Sequence, residues 1–173
     1  MFKFIGISLL LLASFAAGCL LAFQIRQRVE ELIYLRKLMF IFKGELEYKN
    51  AMLPDAFKTV ASKAKGPYDE LFYQLAVKTE ENFSKPISEL FSEKIDAVLS
   101  GNSYLKAADL KLFKELGETL GFQNQKMQLN NIDLYIDRLS NTIEEERDKM
   151  EQEVKVYRTL AMMTGVLVSI VLI

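Results

Sequence analysis

The sequence contains no histidine and a single cysteine, Cys19, among its 173 residues. The first absence removes the commonest general base and the commonest nitrogen ligand for a metal. The second excludes a disulfide framework, a zinc ribbon and a Cys/His nucleophile pair. No Gly-rich loop precedes a Lys-Ser or Lys-Thr pair, and no serine stands in a nucleophile elbow, so neither a phosphate cradle nor a serine hydrolase has a carrier. A basic surplus is also lacking: 22 Lys and Arg face 23 Asp and Glu, for a net charge of −1. Nucleic acid, which needs such a surplus to displace counterions, is not an expected partner. No catalytic residue, metal site, cofactor or small-molecule substrate is expected. Alternating Val, Ile and Thr runs bounded by hairpin turns are missing, which leaves no strand signal.

What is present is segregated. Half of the chain is hydrophobic and 26% is charged, yet residues 4–25 and 159–173 carry no charge. Phe4 to Phe23 has the length and composition of a transmembrane helix, about 20 residues for a hydrocarbon core of about 30 Å. A second reading of this segment is a lipoprotein signal, because Ala16-Ala17-Gly18-Cys19 resembles a lipobox. It would make the chain an anchored extracytoplasmic binding protein. The residue three before the cysteine is Ala where Leu is usual, and the chain beyond it stays apolar, so the membrane helix is preferred. Leu160 to Ile173 is a shorter apolar run. It suits a thin or tilted crossing behind Tyr157 and Arg158, the alternative being a helix packed on the soluble domain. Arg26, Arg28, Lys155 and Arg158 flank the two segments on the same side. The positive-inside rule then places the middle of the chain in the cytoplasm. The expected division is a transmembrane helix over 4–23, a cytoplasmic helical domain over 24–158 and a C-terminal membrane segment over 159–173.

The middle is cut by Pro and Gly into helices. Leu32, Leu35, Met39, Phe42 and Leu46 recur at spacings of three and four, which predicts a helix from about Gln24 to about Tyr48. Pro54 suits the first turn of a second helix, which Gly66-Pro67 ends. A third carries Leu71, Phe72, Leu75 and Ala76 and stops near Ser84. Pro86 opens a fourth with Leu90, Phe91 and Ile95. Ser100-Gly101-Asn102-Ser103 reads as a loop, and a fifth helix holds Leu105, Leu112, Phe113 and Leu116. From Asn124 a long sixth helix has a 4-3 seam of Ile132, Ile136, Leu139, Ile143, Glu146, Met150 and Glu153. The fold class is all-α, a membrane-anchored bundle of about six helices whose long last helix ends in the apolar segment.

Three charged or glycine-bearing stretches stand out. Asp133 and Asp137 lie one turn apart, without the further oxygen ligands a cation needs. Glu144, Glu145, Glu146 and Glu153 concentrate negative charge, with Glu146 and Glu153 at seam positions. They are a candidate surface for a basic partner, against the plainer reading of a solvated helix face. In Leu116-Gly117-Glu118-Thr119-Leu120-Gly121 two glycines sit four apart. A glycine inside a helix costs about 1 kcal/mol relative to alanine, so Gly117 is expected at a close helix crossing and Gly121 at a left-handed helix end.

The order of elements around Gly117, Glu118 and Gly121 carries a resemblance. A Gly-Glu-x-x-Gly motif precedes a long acidic helix and a terminal apolar run, and Leu53-Pro54-Asp55-Ala56-Phe57 opens an early helix. This resembles the cytoplasmic domain of type II secretion F-type inner-membrane platform proteins. With an apolar segment at each end and Phe113-Lys114-Glu115-Leu116-Gly117-Glu118-Thr119-Leu120-Gly121, the chain most resembles the stage III sporulation AB family. The resemblance implies a non-enzymatic component of a channel between mother cell and forespore. It would sit in the cell membrane with its bulk in the mother-cell cytoplasm. Other channel membrane proteins, a secretion-type ATPase and membrane lipid are the implied partners.

Overall fold

Among the described residues the chain forms six α-helices and no strand: α1 (Phe2–Tyr48), α2 (Leu53–Lys63), α3 (Pro67–Glu81), α4 (Ile87–Leu99), α5 (Ala107–Thr119) and α6 (Gln125–Leu172). The computed structural model describes residues 2–81, 85–120 and 125–172, with side chains for 23–81, 85–120 and 125–152 and for Val156 and Met163. Gly121 and the expected helix start at Asn124 lie outside the described residues, as do the side chains of Glu153, Lys155 and Arg158. So does almost all of the side-chain content of the segments 4–23 and 159–173. Among the described residues, no helix is long and apolar enough to cross a membrane.

The helix ends follow from local chemistry. Asn50 takes a left-handed conformation, φ 48°, just past α1, and the Ala51 amide donates back to the Glu45 carbonyl at 3.1 Å. That backward bond satisfies a carbonyl the helix would otherwise leave open. Pro54 and Pro67 stand in the first turns of α2 and α3, where a missing amide hydrogen costs nothing. Gly66, with φ 66°, supplies the turn between them. Asp109 accepts the Lys106 amide at 2.8 Å and so closes the start of α5. The fifth helix therefore begins at Ala107, and Leu105, expected inside it, precedes it.

The chain divides into two units, one of residues 1–30 with 143–173 and one of Glu31–Thr142. The larger unit is built on one aromatic residue from each helix. Phe42 of α1 stacks on Phe57 of α2 with ring centroids 5.0 Å apart. Phe57 touches Phe72 of α3 at 6.1 Å and Phe91 of α4 at 6.3 Å. Phe113 of α5 meets Phe91 edge-on at 5.1 Å and stacks on Tyr135 of α6 at 5.8 Å. Each such pair adds about 0.5–1.5 kcal/mol beyond its area burial. Leu32, Leu35, Met39 and Leu46 from α1 and Ile132, Ile136 and Leu139 from α6 complete the core, all at 4% exposure or less.

In the smaller unit, Arg28 Nη1 of α1 lies 2.5 Å from Glu146 Oε2 of α6, both side chains under 10% exposed. Lys149 also reaches Glu146, at 3.0 Å. Val29 and Ile143 are buried beside them in sequence.

Candidate functional site

Gly117 of the Gly-Glu-x-x-Gly motif lies where α5 crosses α4. Gly117 is buried, and a Cβ built on it would sit 2.6 Å from Phe91 Cδ1 and 2.7 Å from Phe91 Cβ and Cγ. Real Cβ atoms do not approach so closely, so α5 rests on the Phe91 ring through bare backbone. The adjacent Glu118 is exposed and lines an open groove of about 1080 Å³ between α4, α5 and α6.

The groove has walls of both charge signs. Glu89, Glu93 and Asp96 line it from α4, spaced four and three apart, so they share one helix face. Lys111, Lys114, Glu115 and Glu118 line it from α5, and Asn131, Leu134 and Arg138 from α6. Ion pairs brace the walls: Lys114 to Asp96 at 2.6 Å joins α5 to α4, and Arg138 to Glu115 at 3.5 Å joins α6 to α5. Glu93 is held below the usual carboxylate range, first by its hydrogen bond from Lys94 and the charge of Lys94, then by Lys85. Leu134 is 51% exposed inside this charged frame. Such a frame suits a protein surface of mixed charge that also offers an apolar contact.

A polar cluster lies elsewhere in the same unit. Tyr68 donates its hydroxyl to Glu31 Oε1 at 2.9 Å, and the Tyr104 amide donates to Glu31 Oε2 at 2.6 Å. Tyr34 meets Tyr68 edge-on at 5.8 Å and accepts the Lys65 amide at 2.7 Å. Burial, and then the Glu31 charge, push the Tyr68 phenol well above its usual range. Burial, and then Asp109, do the same to Tyr135. The Tyr135 hydroxyl is buried without a hydrogen-bond partner among the described residues.

The chain matches the stage III sporulation protein AB family over residues 3–173. It belongs to that family. Among solved structures, that of a stage III sporulation protein AB (SpoIIIAB) matches at 20% identity and a TM-score of 0.64, covering 72% of this chain and 97% of that one. At that identity the likeness establishes the helical-bundle fold. No match was found among the curated proteins.

The residues singled out from sequence are dispersed. Gly117 and Glu118 share the groove region, whereas Glu144 and Glu145 are exposed on α6 in the smaller unit. Glu146 is corrected: it is 6% exposed and paired with Arg28, so the basic partner of this seam carboxylate is in the chain itself. Arg28 is buried in that pair, whereas Arg26 is exposed and pairs with Glu30 at 3.0 Å. Asp133 is engaged by Lys43 at 2.7 Å, and among the described residues no cluster could hold a metal ion. The α4 wall of the groove was missed, although Glu89, Glu93 and Asp96 announce one acidic helix face by their spacing.

Proposed function

We propose that the chain is a non-enzymatic assembly component of a secretion-like channel between mother cell and forespore. It is anchored in the cell membrane by residues 4–23, with residues 159–173 as a second membrane segment. Its helical domain faces the mother-cell cytoplasm and docks other channel membrane proteins and a secretion-type ATPase. Membership of a sporulation family supports the setting. The uncharged segments and the basic residues beside them support the anchoring and its direction. The relation to type II secretion platform domains rests on the motif and helix order.

The observation that carries the docking role is the α4–α5–α6 groove, open, charged on each wall and lined by exposed Leu134. Charges arranged in this way set the orientation and the rate of encounter more than the affinity. A photo-crosslinking residue at Leu134 in sporulating cells should capture a channel protein or the ATPase. Charge reversal of Glu93 and Glu118 to Lys should lower that yield and leave helix content unchanged. Capture that is indifferent to both reversals would refute the groove as the docking site. A cytoplasmic reporter inserted between residues 100 and 103 tests the direction, because activity only from an exported reporter there would reverse it.

A further inference from the structure

α1 carries a second apolar stripe, on the side opposite its core face. Ile33, Lys37, Phe40, Ile41, Gly44 and Tyr48 occupy it, with Phe40 55% and Tyr48 83% exposed. Ile33, Arg36, Lys37, Phe40 and Ile41 rim a shallow depression of about 360 Å³. A Cβ built on Gly44 would meet nothing within 4 Å, so the helix is open there. The intervals between the six positions are 4, 3, 1, 3 and 4, which read the same in either direction. A stripe with that spacing maps onto itself when one helix is turned end for end.

We propose that this face of α1 pairs with the same face of a second copy of the chain. The two helices run antiparallel about a two-fold axis between Phe40 and Ile41. Ile33 then meets Tyr48 of the second copy, Phe40 meets Ile41, and the stem of Lys37 lies over Gly44. The contact is isologous, with every pair made twice. Charge decides the direction. In the antiparallel register the Lys37 ammonium reaches Glu47 of the second copy, one turn beyond Gly44, whereas a parallel pair would set Lys37 beside Lys37. Glu47 is open to this, because its own-chain neighbour Lys43 stands 3.7 Å away and has a nearer partner in Asp133, at 2.7 Å. From Ile33 to Tyr48 the stripe is about 22 Å long at a rise of about 1.5 Å per residue. One helix face of that length buries on the order of 800 Å² in total, which belongs to the weak, reversible class of contacts.

The test uses the full chain in detergent micelles with Cys19→Ala, so that one introduced cysteine is the only thiol. Ile41→Cys, beside the axis, should form a disulfide-linked dimer under mild oxidation. Tyr73→Cys, on the exposed side of α3, should not. Lys37→Glu alone and Glu47→Lys alone should each reduce the Ile41→Cys dimer about fivefold, and the two together should restore it. Absence of the Ile41→Cys dimer, an equal yield from Tyr73→Cys, or a double reversal that fails to restore the yield overturns the pairing. None of these readouts depends on the α4–α5–α6 groove or on any other partner.

Discussion

Replacing Gly117 by alanine adds one methyl at a helix crossing that has no room for it. The added carbon would stand 2.6–2.7 Å from three atoms of Phe91, one of which is its Cβ. A ring tip can swing aside, but a Cβ moves only with the backbone. The ring itself is hemmed in by Phe113 at 5.1 Å and Phe57 at 6.3 Å. α5 must therefore back away from α4 by roughly an ångström to regain ordinary contact distances of about 3.5–4.0 Å. Overpacking of this kind costs about 1–3 kcal/mol, against about 1 kcal/mol returned by alanine's better helix propensity. Because the clash includes a Cβ and not only a ring tip, the overpacking falls in the upper part of that range, about 2–3 kcal/mol, which leaves a net loss of about 1–2 kcal/mol and a fall in Tm of about 2–8 °C for a chain of this size. The assay is a thermal melt of the full chain in detergent, followed by far-ultraviolet circular dichroism. In a Phe91→Ala background only the Cβ contact remains, so Gly117→Ala should cost less there. A Gly117→Ala chain that melts unchanged or higher, or a penalty identical in both backgrounds, refutes the close crossing.

Three further outcomes follow from buried polar groups. Glu146→Gln removes the buried carboxylate charge beside Arg28 and should cost about 3 kcal/mol in chemical unfolding, while Arg28→Met with Glu146→Leu should recover most of that. Tyr135→Phe removes a buried hydroxyl that lacks a partner among the described residues, so its melt should hold steady or rise, and a fall of several degrees would contradict the assignment. Tyr68 resists ionisation in the folded state relative to its ordinary value of 10.0, so its stabilisation is fully present below that pH and is lost as pH rises beyond it. The expected slope is about 1.4 kcal/mol per pH unit for that group, measured by urea unfolding between about pH 10 and 12; Tyr135, held up in the same way, adds a like slope, so Tyr68→Phe should reduce the fall with pH by about that amount and leave the Tyr135 part.

Much of the helical order is readable from local signals. Pro54, Gly66-Pro67, Pro86 and Ser100-Gly101 punctuate the chain where helices start and stop. The three-four stripe on α1 is the face that turns inward. Gly117 is conspicuous because a glycine within a helix needs a reason. Its neighbour Phe91 is not, since nothing in a phenylalanine records which backbone lies against it. The same limit explains Glu146 and Arg28. Counted along the chain, one is an acid at a seam position within an acidic run and the other a membrane-flanking base. Only the long-range meeting of α1 with α6 turns them into a buried pair. Tyr135 stayed hidden for a related reason: its seam neighbours Ile132, Ile136 and Leu139 satisfy the helical period without it.

The crossing at Gly117 links the core to the groove. Leu116 and Gly117 face inward while Glu118 lines the groove, so the distance from α5 to α4 sets both the seal around Phe91 and the spacing of the charged walls. Lys114 and Asp96 bridge those walls at 2.6 Å and cannot follow a separation of an ångström without loosening. Two routes to lost docking can therefore be told apart. Glu118→Lys changes a wall charge and leaves the crossing intact, so partner capture should fall while the melt stays at its wild-type value. Gly117→Ala alters no groove side chain, yet it should reduce capture and Tm together, because it moves the wall by moving the helix. If Gly117→Ala lowered the melt and left capture at Leu134 untouched, the width of the groove would not matter to the partner. Recognition would then rest on exposed Leu134 and the α6 wall alone.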